Sequence, residues 1–111
     1  MRPMTLIMLS AALLLAGCGM QVDVTKTGKG YQAPTRPADV DVLMLGPSRP
    51  YTELGAVSVL RCLPTDVARM HNALRAKAAP LGADAVILIN SGIDANGDLW
   101  ATGAAIGYTD K

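Results

Sequence analysis

The stretch Pro64-Thr65-Asp66-Val67-Ala68-Arg69-Met70-His71-Asn72-Ala73-Leu74-Arg75-Ala76-Lys77-Ala78-Ala79-Pro80-Leu81-Gly82-Ala83-Asp84-Ala85-Val86-Ile87-Leu88-Ile89-Asn90 decides the fold: it reads as one amphipathic helix followed closely by one buried strand. Pro64-Thr65-Asp66 is a helix start, with Thr65 or Asp66 as the cap whose side-chain oxygen can accept from a free amide of the first turn. Val67, Met70, Leu74, Ala78 and Leu81 then recur on one helical face, while Arg69, Asn72 and Lys77 lie away from it. Pro80 has no N–H to continue the ladder, and Gly82 supplies the left-handed residue on which helices end. Residues 85–90 are too short for a second helix, and the run Val86-Ile87-Leu88-Ile89 suits a strand.

Outward from this pair the pattern alternates. On the C-terminal side Asn96-Gly97 is a hairpin signal, and Leu99–Tyr108 reads as a strand with unequal faces. Ala101, Gly103, Ala105 and Gly107 make a small face, and Trp100, Thr102, Ala104, Ile106 and Tyr108 a larger one. Small residues there allow a helix or another chain to approach closely. On the N-terminal side, residues 54–60 form a strand rich in β-branched side chains. Gly46-Pro47-Ser48-Arg49-Pro50 is a turn, and Val40, Val42 and Met44 alternate with Asp39, Asp41 and Leu43 in a first strand. The order β-β-α-β-β predicts an α+β domain over residues 39–111: a small four-stranded sheet with one main helix packed on one face. Between residues 19 and 38, Gly28, Gly30, Pro34 and Pro37 interrupt a polar run without steady periodicity, which predicts a flexible spacer.

The first residues carry an address. Met1-Arg2 is a short positive start, and an apolar run over residues 4–16 is broken only by Thr5 and Ser10. The run is short for a bilayer span and suits the hydrophobic region of a signal peptide. It ends in Leu15-Ala16-Gly17-Cys18, which resembles the bacterial lipobox at all four positions. Small residues before the cut let the extended chain enter a protease site. The Cys18 thiol attacks a phospholipid-derived diacylglyceryl donor and becomes a thioether, and its freed amine can then take an N-acyl chain. The expected divisions are therefore residues 1–17 as signal peptide, cut between Gly17 and Cys18, and residues 18–38 as lipidated cysteine and tether. Each buried methylene contributes about 0.8 kcal/mol, so several acyl chains hold a protein firmly to a membrane. Gly19 stands where an aspartate would signal inner-membrane retention in enteric bacteria, which points to the outer membrane, facing the periplasm.

Composition narrows the function classes. The 111 residues carry ten Lys+Arg against nine Asp+Glu, and removal of residues 1–17 takes away only Arg2, leaving nine against nine. A neutral domain has no broad positive field for nucleic acid. With no Phe and one Trp, the core must be built from Val, Ile, Leu, Met and Ala.

Two side chains are candidates for chemistry. Cys62, at the end of the second predicted strand, is the one thiol left once Cys18 is lipidated; in an oxidising envelope it could pair with another chain, and near a helix start it could be partly ionised. His71 is the only histidine. Together they offer two metal ligands where a closed zinc site needs four, so no resident metal is expected. Each also has a plainer reading, Cys62 as a small buried hydrophobe and His71 at the border of the core. Asp94-Ala95-Asn96-Gly97-Asp98 opens like a calcium loop, but Leu99 and Ala105 stand where its glycine and closing glutamate belong. No nucleophile elbow surrounds Ser48, Ser58 or Ser91, Glu53 is the only glutamate, and no phosphate-binding loop follows a strand. No enzymatic activity and no cofactor beyond the Cys18 lipid are expected.

The segments Pro50-Tyr51-Thr52-Glu53-Leu54-Gly55-Ala56-Val57, Leu74-Arg75-Ala76-Lys77-Ala78 and Leu81-Gly82-Ala83-Asp84-Ala85-Val86 resemble small bacterial envelope lipoproteins of unknown function and the YbjQ-like heavy-metal-binding domains. More distantly they are similar to the domain of the Rcs stress-sensing lipoprotein. The resemblance covers about residues 40–108 and implies a compact α/β domain. YbjQ-like members imply ring-like self-assembly, and the Rcs lipoprotein implies a signalling contact with envelope proteins. Two disulfides staple the latter's domain, whereas here Cys62 is alone, and the residues that would justify a heavy-metal label are not found. The reading that results is a membrane-anchored module acting through an envelope partner or a second copy of itself; the alternative is a thiol- or metal-responsive envelope sensor using Cys62, with His71 as a second ligand.

Overall fold

A computed structural model describes residues 19–28, 30 and 32–111. The predicted signal peptide and Cys18 lie outside the described residues. The elements are β1 (Gln21–Lys26), β2 (Asp41–Leu43), β3 (Tyr51–Cys62), α1 (Val67–Ala78), β4 (Ala85–Ile93) and β5 (Leu99–Tyr108), with 3-10 turns at Pro37–Asp39, Pro64–Asp66 and Ala79–Leu81. They build one five-stranded sheet in the order β1-β3-β5-β4-β2. The strands β1, β3, β5 and β4 pair antiparallel in turn, and β2 joins β4 in parallel. Both β3 and β4 run antiparallel to β5, which lies between them, so α1 is the crossover of a split β-α-β unit.

The α+β class and the single main helix agree with the sequence reading, but the sheet has five strands rather than four. The additional strand is Gln21–Lys26, within the stretch expected to be spacer. Its alternation is regular: Val22 is buried and Val24 half-buried, while Gln21, Asp23 and Thr25 are exposed. Val22 pairs with Val59 and Val24 with Val57, so two valines on each strand extend one apolar face. The chain beyond β1 is also tied down. Thr35 N–H donates to the Ala79 carbonyl at 2.9 Å, and the Thr35 hydroxyl donates to the Ala83 carbonyl at 2.6 Å.

The helix obeys its predicted face. Met70, Leu74 and Ala78 are buried against Val57, Val59, Val86, Leu88, Ala101 and Ala105 of the sheet. Asp66 occupies the N-cap position without a side-chain capping bond. Its carboxylate lies 3.8 Å from Arg69 instead. Pro80 tightens the helix into the Ala79–Leu81 turn, which Gly82 closes at φ +82°. That conformation is one only glycine adopts cheaply, and a β-carbon there would stand 2.6 Å from Gln32 Cβ.

The small face of β5 has an internal use. Ala101 and Ala105 belong to the core under α1. A β-carbon on Gly103 would be driven into the Ile87 carbonyl, beside the bulge between Leu88 and Asn90. A β-carbon on Gly107 would press on Gln32 Oε1 and Leu54 Cδ1. The close approach anticipated at this face is therefore made by β4 and by the chain's own N-terminal segment.

Among the described residues no helix packs on the other face of the sheet. Near the C-terminal end of β5 that face holds a small cluster, Ala85, Ile87, Ala104 and Ile106, with Leu43 and Tyr108 packed against it. The Arg49 guanidinium stacks 3.8 Å from the centre of the Tyr108 ring and pairs with Asp110 at 2.7 Å. Further along, Asp23, Thr25, Ala56 and Thr102 leave this face to solvent.

Candidate functional site

The end of the sheet at which β1 begins holds Cys62, while His71 lies on α1. Gln21 is opposite Leu60, Cys62 is opposite Leu99, and Gly92 and Ile93 are opposite Trp100 and Leu99. The chain enters there. Met20, immediately before β1, packs against the helix-side core, so between position 18 and β1 only Gly19, at φ +85°, stands free of it.

A bulge shapes this end. Between Val59 and Cys62 the β3–β5 register shifts, and Arg61 adopts φ +56°, a left-handed conformation unusual for a side-chain-bearing residue. The extra residue restores the inward alternation, so that Val59 and Cys62 both enter the core while Leu60 faces out. The turned Arg61 guanidinium donates to Gln21 Oε1 at 2.9 Å.

Cys62 is fully buried and free, and its thiol donates to the Leu63 carbonyl at 3.4 Å. Burial pushes its pKa up, with Asp66 and Asp98 adding in the same direction. The helix start does not activate it: the nearest ionisable groups are acids, which disfavour a thiolate.

His71 borders a cavity of about 180 Å³ lined by Met44, Val67, Met70, Leu88, Ser91 and Trp100 among others. Its Nε2 is buried without a hydrogen-bond partner. Burial lowers the imidazole pKa, and the Arg75 charge lowers it further, so the ring is neutral at pH 7. Cys62 is not among the residues lining this cavity. The two candidate ligands thus serve different surroundings, a closed core and a small apolar recess. Among the described residues no group of three or more His, Cys, Asp or Glu is placed to hold a metal. The Asp94 carboxylate accepts from the Asn96 and Asp98 amides at 2.8 and 3.0 Å, which makes it the staple of the β4–β5 turn.

Sequence reasoning located Cys62 and His71 but not the cavity, whose walls come from α1, β4, β5 and Met44 together. It also missed the apolar rim around the entry point: Leu60, Leu63 and Ile93 are 46%, 53% and 58% exposed. The signal was present in Leu60-Arg61-Cys62-Leu63, an apolar cluster interrupted by one charge.

No protein-family model matches the chain, and no curated protein matches it in sequence. Among solved structures it is similar to the crystal structure of a Francisella virulence factor, FvfA, in its orthorhombic form. The two share 17% identity at a TM-score of 0.49, over 78% of this chain and 96% of the other. No helix among the described residues is long and apolar enough to cross a membrane.

Proposed function

We propose that this chain is a bacterial lipoprotein, cut between Gly17 and Cys18 and anchored by a diacylglyceryl thioether and an N-acyl chain on Cys18. Its domain acts by non-covalent contact with an envelope protein or a second copy of itself rather than by catalysis. The observation that carries the anchor is Leu15-Ala16-Gly17-Cys18 at the end of a short apolar run with a positive start. Gly19 in place of aspartate favours the outer membrane, facing the periplasm. The non-enzymatic half rests on the His71 recess, whose lining is apolar apart from His71 and Ser91 and includes no acid, and in which the imidazole Nε2 is hydrogen-bonded to nothing, the Ser91 hydroxyl included. General acid–base or nucleophilic work needs a paired group within reach.

Replacement of Cys18 by Ala tests the anchor. The wild-type chain is expected in the membrane fraction, resistant to salt and extracted by detergent, and the Cys18→Ala chain in the soluble periplasmic fraction or retained as precursor. Equal membrane retention of both chains would contradict the anchor. Crosslinking in intact membranes followed by mass analysis tests the contact, which predicts one defined adduct; a clean monomer contradicts it. The thiol-sensor alternative is disfavoured by the burial of Cys62 and the upward push on its pKa.

A further inference from the structure

We infer that the sheet end formed by Leu60, Leu63, Ile93 and Trp100 seats on the bilayer surface and holds the domain flush against the membrane. This rests on the Cys18 anchor. Two independent observations lead to it. First, there is almost no tether. Met20 is packed on the core and Gln21 is already paired with Leu60, so Gly19 alone separates the domain from Cys18. A chain spans at most about 3.3–3.6 Å per residue, which confines the Cys18 Cα to within about 11 Å of Gln21. Whatever Gly19 does, the end of the sheet at Gln21 cannot leave the lipid headgroups.

Second, that same end carries exposed apolar side chains. Leu60, Leu63 and Ile93 are each about half exposed, against the buried Val22, Val57 and Val59 deeper in the same sheet. Trp100, half-buried, lies between them in the register, its indole within 3.0 Å of where a Gly92 β-carbon would be. Aliphatic side chains with a neighbouring indole, whose N–H needs a polar partner and whose rings do not, match the headgroup–acyl boundary of a membrane. Arg61, at the centre of this end and exposed, can reach lipid phosphates while its methylenes lie on the apolar rim. Asp94 and Asp98 sit in the adjoining β4–β5 turn, which argues for zwitterionic rather than strongly anionic lipid.

Trp100 is the only tryptophan and therefore the reporter. The full lipidated chain, with its lipid confirmed by mass in the same preparation, is placed in phosphatidylethanolamine-rich vesicles containing lipid spin-labelled near the headgroup or deep in the acyl chains. The expected result is blue-shifted Trp100 emission, quenched more by the shallow label than by the deep one. The lipidated Leu60→Asp/Leu63→Asp/Ile93→Asp chain is expected to lose the shift and most of the quenching. Unquenched Trp100 in a chain of correct lipidated mass overturns the inference, whether the rim is bare or covered by a second copy. Equal quenching of wild type and triple variant also overturns it, because the anchor alone would then explain the proximity. A chain without lipid mass overturns the anchor and the seat together.

Discussion

The Thr35 hydroxyl donates to the Ala83 carbonyl at 2.6 Å, tying the N-terminal segment to the loop between α1 and β4. With β1 paired along β3, this bond makes residues 20–28 and 32–38 part of the domain rather than a leash to it. Thr35→Val keeps the shape and deletes the donor, leaving a part-buried carbonyl unsatisfied. A loss of about 1–2 kcal/mol is expected, read as a lower denaturant midpoint at unchanged slope. An unchanged midpoint would mean that the segment does not dock there.

Gly103 predicts a sharper effect. One of its α-hydrogens faces the Ile87 carbonyl so closely that a methyl group in its place cannot enter without moving the β4 backbone. Gly103→Ala is expected to cost about 1–3 kcal/mol, as overpacking does. Gly97→Ala, at φ +82° but in open space, separates strain from crowding and should cost about 1–2 kcal/mol. Thermal unfolding of both variants in parallel gives the comparison; a neutral Gly103→Ala would show that β4 and β5 are not in this register.

Most of this frame was legible in the sequence, for reasons that can be named. Leu99–Tyr108 is a strand with the expected bounds because a strong turn precedes it and small and larger side chains alternate along its sequence. The helix ends near Pro80 and Gly82 because each restricts the backbone locally. The strand β1 was not legible: Gln21–Lys26 alternates correctly but is short, with Gly19 before it and Gly28, Gly30 and Pro34 after, and its worth depends on Val57 and Val59 far along the chain. The left-handed Arg61 and the His71 recess escaped for the same reason. A bulge and a cavity are made by neighbours that only the tertiary fold assembles.

Cys62 yields a chemical prediction. With its thiol buried and its pKa above the ordinary 9.0, little thiolate is present at pH 8. Native protein is expected to resist iodoacetamide and to react fully after unfolding. Because the folded pKa lies above the unfolded one, the associated stability is complete below about pH 9 and is lost as pH rises further through the folded value. Cys62→Ala should flatten that alkaline decline relative to wild type. Rapid labelling of the native chain would reopen the thiol-sensor reading.

His71 acts at the opposite end of the scale. Its folded pKa is depressed below the ordinary 6.5 by burial and by Arg75. The folded state therefore holds its proton less tightly than the unfolded chain, so stability is present above about pH 6.5 and falls as pH drops through the folded value. His71→Gln removes the titration, and the difference between variant and wild-type stability is expected to change across pH 5–7.5 in urea melts. A constant difference across that range would mean that the imidazole is solvated rather than enclosed.

The intact mass of protein extracted from membranes, recorded with and without reductant, tests the central claim most directly. The account predicts a chain beginning at Cys18, carrying a diacylglyceryl thioether and an N-acyl group, with a mass that reductant leaves unchanged. A chain retaining residues 1–17 or an unmodified Cys18 would contradict it, and a reducible adduct would move the mechanism to Cys62.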